Sequence, residues 1–296
     1  MFGLREEFPY FECARCGCLQ IAVIPNDISK YYPENYYSFQ IVSPAKILIK
    51  GQYLSDPFTG ILALKRFISL LPGIRFIPEW IRRTQVQTSQ SVLELGCGQG
   101  AKLLEMRAVG YSDLMGVDPF LPHDYTTSSG VALRRKNISD LDRSFDLVML
   151  HHSLEHIPKQ LETLLEIKRH LKPYGTVLIR IPLASSFAWK KYGPHWVQLD
   201  APRHFYLHTL KSMSILAEQA GFHIANTLYD STAFQFWGSE QYARDIPLRD
   251  PRSFNENKRQ SLFSRSALRE FDREARRLNN QAQGDQAAFY LKIAPR

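Results

Sequence analysis

One stretch decides the fold of this chain: VLELGCGQG, residues 92–100. It predicts an apolar strand followed by a glycine-rich turn that opens a helix. Glycines let the backbone approach a ligand with no Cβ in the way, and the first turn of a helix presents unpaired N–H groups. The stretch therefore indicates a site for a nucleotide-bearing cofactor.

Two acidic residues refine that prediction. Glu94 stands just before the glycines, where its carboxylate would repel the pyrophosphate of a dinucleotide but suit a ligand with an ammonium and a sulfonium, as in S-adenosylmethionine. Asp118 ends the next predicted strand, where it can accept hydrogen bonds from both ribose hydroxyls. Both acids follow strands, and ligands of open parallel sheets lie beyond the carboxyl ends of the strands.

From residue 91 onward, strands and helices alternate, which predicts a doubly wound α/β, Rossmann-like sheet. After the sixth strand the alternation lapses. We expect an insertion at about 234–282, mostly irregular to residue 260 and helical at 266–279, and a turn at 173–175. The predicted strands are 91–95, 114–118, 131–135, 145–150, 176–181, 222–229 and 286–293, with helices at 101–109, 159–171 and 209–220.

Composition predicts a folded chain, because 44% of the residues are apolar and 22% are charged. The net charge of +8 is dispersed, so nucleic acid is not indicated as a partner. The apolar run 61–71 is interrupted by Lys65 and Arg66, which argues against a membrane span but leaves contact with a membrane surface open. With no secretory pattern at the start and no disulfide framework, we expect a cytoplasmic location.

Four motifs together resemble the class I S-adenosylmethionine-dependent methyltransferases. They are VLELGCGQG at 92–100, LMGVDPF at 114–120, SFDLVMLHHSLEHIPK at 144–159 and LKPYGTVLIRIP at 171–182. The resemblance implies S-adenosylmethionine as cofactor and a seven-stranded sheet with its last strand antiparallel. The resemblance covers about residue 91 to the end, so we expect a methyltransferase domain at 89–296. The residues before it do not continue the alternating pattern, and they predict an N-terminal appendage at 1–88 with helices at 61–71 and 78–87.

The candidate cofactor-binding residues lie after the first four strands of this domain. Cys97 is expected to be a small filler of the turn, and Asp140 belongs to the stretch NISD that offers a polar group for adenine, although the usual acidic and small pair is lacking. The full set is Glu94, Gly96, Cys97, Gly98, Gly100, Asp118, Asp140 and His151.

A finer resemblance is carried by HWVQLDAPRH at 195–204, CARCGCLQ at 13–20 and YYPENYYSF at 31–39. These stretches are similar to a bacterial methyltransferase subfamily often associated with polysaccharide and lipopolysaccharide gene clusters, which implies a sugar or glycan acceptor. Related groups begin with two Cys-x2-Cys knuckles, whereas this chain has one. Cys13, Cys16 and Cys18 supply at most three of the four ligands of a closed zinc site, so we expect no zinc there.

Four histidines are candidates for positioning the acceptor or removing its proton: His152, His156, His195 and His204. Histidine suits this role because its pKa lies near neutrality without perturbation. The spacing His152-x2-Glu155-His156 resembles a metal-binding arrangement in quinone O-methyltransferases that has an acid in place of His152, and that departure favours no metal. Alternatively, Glu155 and His156 cap the next helix and hydrogen-bond the core.

The loop 185–208 is rich in aromatic residues and follows the fifth strand. It predicts either a wall for a sugar or planar acceptor, completed by Trp237 and Tyr242, or a lid filled by its own rings. Arg203 can bind an acceptor carboxylate or phosphate, or pair with Asp200.

These observations favour methyl transfer from S-adenosylmethionine to a hydroxyl of a small molecule or glycan. Two alternatives stay open. One is a cofactor-fold module that binds or regulates without catalysis, and the other is an RNA methyltransferase, suggested by an isoelectric point near 9.3.

Overall fold

The computed structural model describes residues 5–32, 77–258 and 262–295. The predicted helix at 61–71 and most of the tyrosine-rich stretch at 31–39 lie outside these ranges. The strands are β1 (Tyr10–Glu12), β2 (Leu19–Ile21), β3 (Ser91–Leu95), β4 (Asp113–Val117), β5 (Tyr125–Thr126), β6 (Ala132–Arg134), β7 (Phe145–His151), β8 (Leu171–Pro182), β9 (Tyr206–Leu207), β10 (Phe222–Tyr229) and β11 (Gln286–Ile293). The α-helices are α1 (Glu79–Arg82), α2 (Ala101–Ala108), α3 (Gln160–Arg169), α4 (Phe187–Tyr192), α5 (Leu210–Gln219), α6 (Phe234–Tyr242) and α7 (Arg265–Asn280).

The central sheet has eight strands in the order β10-β11-β8-β7-β3-β4-β6-β5. β3 pairs in parallel with β4 and β7, β4 pairs in parallel with β6, and β10 pairs antiparallel with β11. All seven predicted strands occur in this sheet, so the chain has the predicted mixed α/β, Rossmann-like architecture.

The predicted count of seven strands is wrong by one. The additional strand, β5, has two residues and pairs antiparallel with β6 at the sheet edge. A tight turn between them returns the chain, with the Gly130 N–H bonded to the Thr127 carbonyl at 2.9 Å. Gly130 has φ 86°, a conformation that glycine adopts at low cost. Two residues are too few for a periodic pattern in the sequence.

The middle of the sheet is buried on both faces. Val92 and Leu93 of β3 have no exposed surface, and neither do residues 147–150 of β7. Leu93 lies opposite Val148 in the parallel register. Continuous apolar runs of this kind are typical of parallel strands covered by helices, which explains why these two strands were clear in the sequence.

The chain divides into two compact units. The first contains residues 1–32, 152–162 and 179–296, and the second contains 33–151 and 163–178. In the first unit, β1 and β2 form a three-stranded sheet with β9, with Leu19 opposite Leu207. The units therefore interleave along the chain, while the proposed division at residue 88 stays a prediction.

Three local predictions differ from the structure. The helix predicted at 78–87 is only α1, because Gln85 adopts φ 58° and ends it. The turn predicted at 173–175 lies within β8, where Tyr174 has φ 66°. The segment predicted to be an insertion contains α6 in the part predicted to be irregular, and Phe236 of α6 packs with Leu278 of α7 in an apolar cluster. Tertiary packing thus adds a helix that local pattern did not indicate.

The core of the first unit surrounds one tryptophan. Trp196 is fully buried with Leu19, Ala188 and Leu207, and its indole N–H donates to Asp285 Oδ2 at 3.0 Å. Within the described ranges, no helix is long and apolar enough to cross a membrane.

Truncation of Trp196 should destabilise the first unit strongly. We expect Trp196→Ala to lower the free energy of unfolding by about 3–5 kcal/mol, because it opens a large cavity and removes one of the two side-chain donors to Asp285, leaving only that of Gln198. Urea denaturation followed by circular dichroism measures the change. Phe11→Ala, at a half-exposed position of β1, is the control and should cost less than about 1 kcal/mol. Equal losses in the two variants would contradict this account of the core.

Candidate functional site

The glycine-rich turn lies between β3 and α2 in the second unit. Gly96, Gly98 and Gly100 have φ angles of 69°, 50° and 74°, all in the left-handed region where other residues are strained. A Cβ on Gly100 would also lie 2.9 Å from Leu133 Cδ2. The turn therefore requires glycine for its backbone conformation, and at Gly100 for packing as well.

Glu94 is buried at the end of β3. Its Oε2 atom has no hydrogen-bond partner among the described residues. Burial raises the pKa of Glu94 to about 8, although the positive charge of Lys102 opposes this. Buried polar groups are rarely left unpaired, so an orphaned carboxyl beside a glycine turn is a position for donors of a ligand. A cationic ligand group would also favour the ionised carboxylate.

Asp118 holds the turn in place from the end of β4. Its Oδ2 accepts the N–H of Gly98 at 2.9 Å, and its Oδ1 accepts the N–H of Phe120 at 2.9 Å. Each carboxylate oxygen can accept more than one hydrogen bond, so both retain capacity for ribose hydroxyls. Asp118 and the glycines are thus brought together as the sequence predicted.

Cys97 packs inward from the turn. A Cβ on Gly116 of β4 would lie 2.6 Å from Cys97 Sγ, so the thiol occupies space that only a glycine leaves free. Burial raises the pKa of Cys97 well above its ordinary value, which disfavours the reactive thiolate. These observations agree with the role of a small filler.

Asp140 and His151 have other partners. Asp140 is exposed and accepts the N–H of Asn137 at 3.0 Å in a reciprocal cap of the short 3-10 helix Ile138–Asp140. His151 stacks on Trp80, with ring centroids 4.8 Å apart and an interplanar angle of 16°. Sequence reasoning missed Trp80, because nothing in the local pattern of α1 relates it to the end of β7.

A second group of polar side chains lies in the first unit. We call it the Glu155 cluster, and it consists of His152, Glu155, His156, Asp200, Arg203 and His204. Glu155 is fully buried, and neither of its carboxylate oxygens accepts a hydrogen bond from the described part of the chain. His152 Nδ1 lies 3.4 Å from Oε1, and His204 Nε2 lies 4.0 Å from the same atom.

The electrostatics of the Glu155 cluster favour an ionised carboxylate. Burial alone would raise the pKa of Glu155, but His152 and the imidazoles of His156 and His204 outweigh it and hold the pKa at about 2. Burial lowers the pKa of His156 to about 4, so that its ring is neutral at pH 7. The cluster thus contains a buried anion beside a neutral imidazole.

Backbone carbonyls orient two of the rings. His156 Nδ1 lies 2.8 Å from the Arg203 carbonyl oxygen, and His204 Nδ1 lies 2.8 Å from that of Gln198. A carbonyl only accepts, so each Nδ1 carries the hydrogen and each Nε2 bears the lone pair.

Glu155 and His156 form their own 3-10 helix, Leu154–His156, and do not cap α3, which begins at Gln160.

His152 has the opposite tautomer. Arg180 Nη1 lies 2.6 Å from His152 Nε2, and Arg180 Nε donates to Asp230 at 2.6 Å. Because arginine only donates, Nε2 accepts and the hydrogen is on Nδ1, the atom nearest Glu155. His152 adopts φ 52°, a strained conformation of the kind concentrated at functional sites. Arg180, which sequence reasoning missed, therefore sets the orientation of a predicted site residue.

Arg203 forms the ion pair with Asp200, one of the two roles considered for it. Its Nε donates to Asp200 Oδ2 at 2.9 Å, and its Nη1 donates to the Tyr31 carbonyl at 2.8 Å. Burial raises the pKa of Asp200, but the guanidinium outweighs it and holds the pKa well below its ordinary value. Both side chains are buried, so this arginine fixes the loop to the N-terminal segment.

The remaining predicted residues are dispersed. His195 is exposed at the end of the 3-10 helix Gly193–His195, away from the core that buries its neighbour Trp196. Trp196 and Phe205 are buried, which supports the view that rings of the loop fill its interior. Trp237 contacts Phe254, with ring centroids 5.2 Å apart.

Comparison with known families decides the class of protein. A methyltransferase domain family matches residues 65–227, more than half of the chain. The chain belongs to this family. S-adenosylmethionine is accordingly its cofactor, and the orphaned Glu94 carboxyl, the glycine turn and Asp118 fit that ligand.

The individual relatives of this chain are distant. A probable S-adenosylmethionine-dependent methyltransferase of Mycolicibacterium smegmatis is 28% identical over 175 residues, covering 53% of this chain and 65% of the relative. A tRNA U34 carboxymethyltransferase of Geobacter sp. is 22% identical over 174 residues, covering 51% and 53%. The chain thus spans between half and two thirds of the length of these relatives.

Solved structures resemble this chain only broadly. The CcbJ methyltransferase from Streptomyces caelestis has 12% identity and a TM-score of 0.41, covering 73% of this chain and 88% of that one. A candidate methyltransferase of Bacillus halodurans has 14% identity and a TM-score of 0.46, covering 73% and 98%. Neither value says anything about activity, and the fold is described by the strand order itself.

The raised pKa of Glu94 should make stability depend on pH. Between the ordinary pKa of 4.5 and the folded value of about 8, the folded protein holds a proton that the unfolded chain lacks. Stability should therefore fall as pH rises through this window, by at most about 1.4 kcal/mol per pH unit. Glu94→Gln should remove this contribution. Its free energy of unfolding, measured by urea denaturation, should therefore rise relative to that of the wild type between about pH 5.5 and about pH 7.5.

The matched control is Glu162→Gln, which replaces an exposed carboxylate of α3. It should keep the pH dependence of the wild type. If Glu94→Gln follows the wild type across the same window, Glu94 is not perturbed by burial.

Proposed function

We propose that this protein transfers a methyl group from S-adenosylmethionine to a hydroxyl of a small molecule or glycan. The observation that carries the cofactor half of this proposal is the buried Oε2 atom of Glu94, which has no hydrogen-bond partner among the described residues and lies beside a turn of three left-handed glycines. When bound, the cofactor supplies a methyl group that is already activated by a positively charged sulfur.

Each residue of the cofactor site has a distinct role in the proposal. Glu94 accepts hydrogen bonds from the cofactor and favours its positive charge. Asp118 accepts a hydrogen bond from the Gly98 N–H and further hydrogen bonds from the ribose hydroxyls. Gly96, Gly98 and Gly100 keep the backbone close to the ligand. Asp140 and His151 remain candidates for the adenine end.

A hydroxyl acceptor must lose a proton during transfer, and the four histidines remain candidates for accepting it. The hydrogen bonds of the structure distinguish among them. His156 and His204 have their lone pair on Nε2, whereas Nε2 of His152 accepts from Arg180. A base also requires a neutral ring at the working pH, which the lowered pKa of His156 supports.

The glycan acceptor is supported by the resemblance of 195–204 to methyltransferases of polysaccharide gene clusters. A nucleic-acid acceptor is favoured by other observations. Two curated relatives are tRNA U34 carboxymethyltransferases, and the isoelectric point near 9.3, although the basic residues are dispersed, is compatible with an anionic acceptor. RNA methylation is therefore the second candidate function.

Cofactor binding should depend on Asp118. We expect Asp118→Ala to weaken the affinity for S-adenosylmethionine by about 1–3 kcal/mol, roughly 5- to 150-fold, through lost hydrogen bonds to ligand and turn. Isothermal titration calorimetry measures this directly. Asp142→Ala, an exposed acid before β7, is the control and should bind as the wild type does. A folded wild type that binds no S-adenosylmethionine at millimolar concentration would exclude the enzymatic function.

Methyl transfer should distinguish the acceptors. With cofactor carrying a labelled methyl group, we expect incorporation into one of a panel of sugar nucleotides and none into total tRNA. Replacing His152, His156, His195 and His204 singly by Gln should preserve cofactor affinity and lower turnover by about 10²–10⁴-fold for the residue that acts as base. Label in tRNA, lost steeply as salt rises, would replace the glycan proposal with the RNA one.

A further inference from the structure

In the Glu155 cluster, several atoms that bear lone pairs lie close together, and few hydrogen-bond donors face them. One ligating atom from each of Glu155, His156 and His204 lies within 4.8 Å of the other two. Glu155 has no exposed surface, and in the described residues neither of its oxygens has a hydrogen-bond partner. Such a buried carboxylate is costly unless a cation or several donors face it.

The hydrogen bonds around the two imidazoles match those of metal ligands. A metal-binding histidine commonly donates its other ring N–H to a backbone carbonyl or carboxylate, which fixes the tautomer. His156 donates from Nδ1 to the Arg203 carbonyl, and His204 donates from Nδ1 to that of Gln198. The nitrogen that remains for a ligand is Nε2 in both rings.

The charges of the surroundings also leave room for a cation. Arg203 is paired with Asp200, and Arg180 is paired with Asp230. Glu155 adds a further buried negative charge, and the groups that face it from the described residues are the imidazoles of His156 and His204 and the N–H of His152, whose Nδ1 lies 3.4 Å from Oε1. One bound cation would compensate that charge.

We propose that Glu155, His156 and His204 bind one divalent transition-metal cation. Two imidazoles and one carboxylate favour Zn²⁺ and its neighbours in the first transition row over Mg²⁺, which prefers oxygen ligands. Three protein ligands leave a coordination position for water or another oxygen ligand. His152, oriented by Arg180, acts as a positioning residue for the Glu155 carboxylate.

The site is independent of methyl transfer, since it rests on the geometry of the first unit alone. Metal binding does exclude a second role for His156 and His204, that of general base. A cation bound to the Nε2 atoms of His156 and His204 occupies the lone pairs that a general base would use. Metal-bound protein would therefore remove the acceptor proton through another group.

The test must distinguish the Glu155 cluster from a pair of cysteines that can also bind a metal ion. Cys13 and Cys16 are half-buried free thiols on the hairpin between β1 and β2. Hydrogen bonds from the backbone N–H groups of Cys16 and Arg15 lower the pKa of Cys13, which favours thiolate, and Zn²⁺ binds thiolates well. Stoichiometry alone would not say which group binds.

The experiment titrates Zn²⁺ into the full chain after removal of metal with a chelator, using calorimetry. We expect one equivalent to bind to the wild type and to the Cys13→Ser/Cys16→Ser variant. Glu155→Gln and His204→Gln should each weaken that binding by at least tenfold. His208→Gln is the matched control, because His208 is equally buried in the same unit but both its ring nitrogens are bonded, to Ser212 and Gln160. It should bind as the wild type does.

Co²⁺ provides a readout that does not depend on any variant folding. We expect the Co²⁺ complex of the wild type to show ligand-field bands without the near-ultraviolet charge-transfer band of a thiolate. Circular dichroism establishes which variants are folded. No binding to the folded wild type would overturn the proposal, as would binding lost with Cys13 and Cys16 and retained in folded Glu155→Gln and His204→Gln.

Discussion

The burial of carboxylates is the constraint on which the arrangement of this protein's polar side chains depends. An ionised or polar carboxyl removed from water must find donors or cations, or its pKa rises until it is neutral. Asp118 meets the requirement with the backbone N–H groups of Gly98 and Phe120. Asp200 meets it with Arg203, and Asp285 with the side chains of Trp196 and Gln198. The bonds of Asp118 to Gly98 and of Asp285 to Trp196 also join segments distant in sequence.

Among the described residues, the buried acids Glu94 and Glu155 keep carboxyl oxygens without a hydrogen-bond partner, Oε2 in Glu94 and both oxygens in Glu155. Their pKa values move in opposite directions, upward for Glu94 through burial and downward for Glu155 because histidines outweigh burial. Glu94 lies at a glycine turn, which relates it to the cofactor of the methyltransferase family. Glu155 lies among imidazoles, which relates it to a cation. In both cases the unpaired acid identifies the position of a ligand.

Much of the fold could be predicted because its signals are local. The apolar runs of β3 and β7, the strands β10 and β11, and the Thr209 cap of α5 all follow from neighbouring residues. The misses have tertiary causes. The helix α6 forms where it packs against α7, and β5 exists because a turn returns it to β6. Of the site, the cofactor motif was predictable, since Glu94, the glycines and Asp118 occupy fixed places relative to two strands.

The sequence by itself determined the order of strands and helices, the glycine turn and the class of cofactor, because periodicity and turn chemistry act over a few residues. Only the tertiary structure decided which polar groups meet. It surrounds Glu155 with His152, His156 and His204, and leaves His195 exposed. It also commits Arg203 to Asp200 and packs Trp196 into the core. Some of these contacts, such as those of His204 with Glu155 and of Trp196 with Leu19, join residues tens of positions apart. The free energies of all of them depend on burial, which no local pattern specifies.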